Sequence, residues 1–216
     1  MFTILSTILF LACSGSNSES TTSSKNPKNN VVFKSEQTGN NDFAPDTIEG
    51  TSEATARISG TILERHAKLG AEPVDAIALW IEAAIRSQNG EGEGFDALGY
   101  MTIPLKDVTK WQSHGANTYF MKAIKENNPS FRSFVVGATP ENSYKVDMED
   151  IKISIAYEGA KDARGRKMMV DTTGSSMPRP IYVQKSSKSG LYFVKEYSSM
   201  YVDVKPAVDP NKEEFH

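Results

Sequence analysis

Two short segments carry the residue types best suited to meet a ligand. Thr139-Pro140-Glu141-Asn142 has turn composition, since proline presets φ and asparagine tolerates a positive one. A rigid turn of this kind offers the carboxylate of Glu141 and the amide of Asn142, with Tyr144 two residues on. The plainer reading, a tight turn between strands, is favoured. Pro178-Arg179-Pro180 fixes an arginine between two stiff residues. Its guanidinium fork suits a carboxylate or a phosphate. An internal partner, an acid such as Glu141 or turn carbonyls, is the stronger expectation. Glu141, Asn142, Tyr144 and Arg179 are therefore taken as one binding or structural cluster, brought together at one end of a sheet, with no catalytic role assigned.

The remaining candidates are thinner. Asp147, Glu149 and Asp150 could offer oxygen atoms to Ca²⁺ but lack the glycine and ligand spacing of an EF-hand loop, so a solvated turn is expected. His66 and His114 each stand without a second ligand at metal spacing. No metal and no cofactor is expected. A Gly-X-Ser-X-Gly nucleophile elbow is missing, and Gly90 to Gly94 lacks the Lys-Ser/Thr of a phosphate loop. Lys161, Arg164, Arg166 and Lys167 make a basic tip, either a soluble loop or a contact for anionic headgroups. Tyr144, Tyr157, Tyr182, Tyr192 and Phe193 could line a cone-shaped pocket, although such a sheet face is more often core.

Composition narrows the class. The 216 residues are 38% hydrophobic, enough for one globular core, and the net charge is −3. Nucleic acid needs a basic face, so it is not an expected partner. The single cysteine, Cys13, excludes an internal disulfide and a cysteine zinc site. Downstream of it, no apolar run approaches the ~20 residues of a spanning helix.

The elements that must position these residues follow in chain order. Residues 14–50 are rich in Ser, Thr and Asn and cannot bury enough apolar surface to offset chain entropy. Such a tether has a reach of roughly 30–35 Å. Val31-Val32-Phe33 is a brief apolar patch within it. A helix is expected over 54–69, weakened by Gly60. The strongest helix runs from Pro73 to Gln88, where Val74, Ile77, Ile81 and Ile85 share a face and proline suits the first position. Gly90 to Gly94 reads as a mobile loop, 95–101 as a short helix or turn, and 105–126 as a helix that His114-Gly115 could split. Strands are expected at 131–136, at 151–157 from the alternation of Ile151, Ile153, Ile155 and Tyr157, and at 166–172. A hairpin over 179–198 completes the set. Ile153 and Ile155 should be buried and Lys152 exposed. The fold class is α+β: N-terminal helices on one face of an antiparallel sheet of about five strands. The domain spans 51–208, and 209–216 is a charged tail.

Two resemblances add to this. Met1 to Cys13, MFTILSTILFLAC, followed by Ser-Gly-Ser-Asn-Ser, resembles the lipobox of bacterial lipoproteins. Phe10 stands where leucine is usual, and the first basic residue is Lys25. The resemblance implies a signal segment at 1–12, lipid on Cys13, membrane anchoring and a place in the bacterial cell envelope, with outer membrane or surface favoured over inner membrane. An ordinary secretory signal and an uncleaved anchor helix are the alternatives. Gly137 to Tyr144 (GATPENSY) together with Gly174 to Ile181 (GSSMPRPI), leading into Gly-Leu-Tyr-Phe-Val, is similar to a family of bacterial domains of unknown function found on secreted proteins and lipoproteins. The order of helices then sheet also resembles the NTF2-like cone, an architectural analogy only. The expected function is a non-catalytic binding or interaction domain for an unidentified protein or small molecule. The alternative is a small hydrolase or isomerase with an acid-lined cone pocket.

Overall fold

The computed structural model describes Gly50–Thr51 and residues 59–209. The expected signal segment, Cys13, the tether including 31–33, the start of the 54–69 helix and the tail beyond 209 lie outside the described residues.

The central element is α2, Pro73–Gln88, with the boundaries its pattern predicts. It is apolar nearly all round, and Ile77 to Ile85 are each at most 2% exposed, so it is a core helix with neighbours on every side. Trp80 is fully buried, donates its indole N–H to Thr102 Oγ1 (2.9 Å) and stacks on Phe120. Around α2 lie α1 (Ile62–Leu69), α3 (Gly92–Met101) and α4 (Thr118–Lys125). Thr61 starts α1 through a reciprocal capping box with Glu64.

Four antiparallel strands follow in sequential order: β2 (Ser154–Glu158), β3 (Arg166–Val170), β4 (Arg179–Lys185) and β5 (Tyr192–Glu196). A two-residue piece, β1 (Gly50–Thr51), lies along β2. The α+β expectation therefore holds. Ile155 pairs with Val170, Met168 with Ile181, and Val183 with Val194, so these six share the face that joins the helical core. Ile153 and Ile155 are buried as predicted, whereas Lys152 is only half-exposed and pairs with Asp150. The outer edge of β5 is covered: Ile103 N–H donates to Val194 O (2.7 Å) and Tyr192 N–H to Gly70 O (2.6 Å).

Four expectations are corrected. Residues 131–136 form a 3-10 turn at Arg132–Phe134 in place of a strand, with Val135 alone bridging Ile153. Phe131 and Phe134 are both buried, and a spacing of three keeps them on one side only in a helical turn. A bulge between Ile155 and Tyr157 opposes Tyr157 to Met169, carrying it off the core face its alternation implies. The 105–126 helix reduces to α4 and two 3-10 turns, because Lys110 is left-handed (φ 54°) and His114 is extended. The loop at Gly90 to Gly94 is helical from Gly92 onward. There α2 and α3 touch, and a Cβ on Gly94 would lie 2.6 Å from Ala83 O and from Ser87 N. Among the described residues no helix is long and apolar enough to cross a membrane.

Candidate functional site

The loop after Val135 is built by its own side chains. Asn142 Oδ1 accepts from the backbone N–H of Thr139 (2.9 Å) and of Lys145 (3.2 Å), and its Nδ2 donates to Gly137 O (2.7 Å). Pro140 opens the resulting 3-10 turn, and Ser143 and Tyr144 follow in the left-handed region at φ 57° and 54°. That geometry drives Tyr144 inward, where it is 1% exposed and donates its hydroxyl to Lys205 O (2.6 Å).

The second motif meets the first and the same stretch of chain. Thr173 Oγ1 donates to Ala138 O, and Lys205 N–H donates to Gly174 O (2.9 Å). Arg179 Nη1 donates to Ser199 O (3.1 Å) and Val202 O (2.8 Å), and its Nη2 to Asp203 O (2.8 Å). Val208 N–H donates to Pro140 O (2.9 Å). Residues 198–208 thus form a strap after β5, clamped by both motif loops. Thr173, beside the second motif, meets Ala138 of the first, and Arg179 bonds strap carbonyls, the alternative to a pair with Glu141. Glu141 is exposed, and its hydrogen bond with Thr139 holds the carboxyl below the usual carboxylate range. Burial pulls the Arg179 guanidinium downward, opposed by Asp203.

Beside the first loop is a shallow pocket, wide open to solvent, of about 350 Å³. Arg132, Lys145, Asn89, Asn127 and Ser143 are its polar lining residues, with Ile85, Tyr144, Val146 and Met148 the others. Two other grooves of about 330 Å³ lie elsewhere, one between Lys161, Arg166 and Lys185, the other between Tyr119, Lys122 and Asp203. Glu141 lines none of the three.

The weaker candidates disperse. Asp147 caps Glu149 N–H and Asp150 pairs with Lys152, and no group of three or more His, Cys, Asp or Glu among the described residues could hold a metal. In the basic tip, Arg164 pairs with Asp162 and lies over the Tyr182 ring, while Arg166 is forked onto Glu158. Phe193 packs on His66 and Tyr100, so the aromatics named from the sequence do not share one cavity.

Sequence reasoning missed a buried ion network. Glu82 is fully buried and accepts from both terminal nitrogens of Arg65 (2.8 and 2.5 Å) and from Arg86 Nε (2.8 Å); Arg86 also reaches Glu91. The available signal was a lone glutamate inside an otherwise apolar helix stretch, four residues before an arginine.

The family model described as "Domain of unknown function (DUF6935)" matches residues 53–208. The chain belongs to this family. No curated protein and no solved structure matches the chain. The DUF6935 match encompasses the helices, the strands from β2 onward, both motif loops, the strap and the pocket.

Proposed function

We propose that this chain is a lipid-anchored, non-catalytic binding domain of the bacterial cell envelope. Cys13 carries the lipid, residues 14–50 act as the tether, and the folded domain carries the binding pocket. The observation that carries the binding role is the pocket beside Gly137 to Tyr144. One wall of it is a loop held in fixed shape by Asn142 and, through Tyr144, by the strap. Prebuilt walls of this kind favour recognition because little ordering is left to be done on binding. Several acyl chains on Cys13 would anchor stably where a single chain would not.

The anchoring half is tested by fractionating cells that express wild type and Cys13→Ser and labelling both with an alkyne-palmitate. Wild type should partition with membranes and take up label, and the variant should do neither. Label retained in the variant overturns the anchor. The binding half is tested by mass spectrometry of small molecules that co-purify with the full-length chain.

A further inference from the structure

We propose that the pocket between the end of α2 and the loop at 137–148 is a site for a small oxyanion, a carboxylate or phosphate group carried on a compact body with an apolar side. The proposal rests on the binding reading above and names its ligand class.

The first support is charge. Arg132 and Lys145 line the pocket, and no aspartate or glutamate does. Neither cation has a carboxylate partner among the described residues. The contrast with the other arginines is informative. Arg65, Arg86, Arg164 and Arg166 each pair with an acid, and Arg179 is spent on three carbonyls. Arg132 makes one hydrogen bond, from Nη2 to Asn127 O (2.9 Å); its Nε is buried without an acceptor and closed to solvent, so the terminal nitrogens are the ones that can meet a ligand. A half-buried guanidinium with so few partners carries a desolvation cost that its own contacts do not offset. An anion in the pocket would supply charge-assisted hydrogen bonds that do.

The second support is backbone geometry. The non-glycine residues with positive φ among the described residues are Lys110, Asn127, Ser143 and Tyr144. All but Lys110 line this pocket. Such conformations are strained and gather at ligand clamps. These three residues line the pocket together with Arg132 and Lys145.

The third support is size and polarity. At about 350 Å³ the pocket sits near the lower end of the ~300–1,000 Å³ typical of small-molecule sites. Ile85, Val146 and Met148 add apolar lining to a mainly polar site, which a bare inorganic ion would leave unused.

Isothermal titration of the full-length chain with inorganic phosphate and with succinate, at ionic strength fixed by sodium chloride, tests the site. Saturable binding of at least one is expected. Lys145→Gln, an exposed change that leaves the fold intact, should weaken it by roughly tenfold or more. Arg132→Gln should do the same, and Lys185→Gln, in a different groove, should not. Phosphate alone or succinate alone identifies the group recognised. The proposal is overturned if neither titrates saturably, or if Lys185→Gln weakens binding as much as Lys145→Gln. A neutral molecule that co-purifies and survives Lys145→Gln would sink the anion and leave the binding reading standing. No co-purifying molecule together with no saturable titration removes both.

Discussion

Arg179 is half-buried, and its three carbonyl partners all belong to the strap. Hydrogen bonds from a charged donor contribute more than neutral ones, and partial exposure reduces that advantage. Arg179→Ala should therefore lower the unfolding free energy by about 2 kcal/mol. That is less than the ~3–5 kcal/mol lost on breaking a truly buried ion pair. Glu141→Gln, an exposed change, should leave the melt at its wild-type position, and the double variant should behave as the sum of the two. Strong non-additivity in denaturant melts would restore the Arg179–Glu141 pair that the sequence suggested. The sequence showed that Arg179 is held stiffly by Pro178 and Pro180. It could not show what the guanidinium meets, because the acceptors are backbone oxygens, which every residue has. Asn142 was read as a turn residue tolerant of positive φ, whereas Ser143 and Tyr144 take that conformation and Asn142 ties the loop through partners within five residues.

Helices α2 and α3 approach so closely at Gly94 that two backbone atoms of α2 occupy the space of a side chain. Gly94→Ala gains about 1 kcal/mol of helix propensity and loses about 1–3 kcal/mol to overpacking. A net loss near 1 kcal/mol is expected, read as a fall in melting temperature; a rise would show that the helices separate freely. The Arg65–Glu82–Arg86 network links α1 to α2. Glu82→Gln leaves Arg65 buried beside a neutral partner and should cost about 3–5 kcal/mol by chemical denaturation. His66 joins α1 to β5 through Tyr192 O (2.8 Å), faces Phe193 and Tyr100, and has Lys106 nearby. Burial pulls its pKa below the usual histidine value. The unfolded chain then binds a proton before the folded one does. The neutral ring's contribution is complete above pH ~6.5 and is lost as pH falls from there through the folded pKa. Melts from pH 8 to 5 should show a steeper acid loss for wild type than for His66→Gln; parallel curves would remove His66 from the acid limb. At this scale α2, β3 and β4 were readable, since their patterns are long or regular. The bulge after Ile155 and the turns at 105–117 were not, because each is set by which side chains must reach a core that the local pattern does not describe.

The whole molecule depends on a segment with little pattern of its own. Residues 198–208 run past both motif loops, and Met200 is fully buried against the core. Removing residues 204–216 deletes the bonds of Lys205 to Tyr144 and Gly174 and that of Val208 to Pro140, about 3 kcal/mol at ~1 kcal/mol each. Hydrogen exchange should then rise over 137–144 while β3 and β4 stay protected. Uniform loss of protection would mean that the strap is part of one indivisible unit. The likeness to the cone fold rests on element order alone, whereas the α+β division followed from where helical spacing gives way to alternation. The position of the strap also sets an order in time. Synthesis runs from the N-terminus, so α1 to β5 leave the ribosome before the residues that lock the motif loops. A nascent chain can form its helices and pair its strands, yet Arg179 and Tyr144 wait for carbonyls not yet made. Until those arrive, the loop that walls the pocket is unfastened, and the growing polypeptide stays easier to unravel than the finished one.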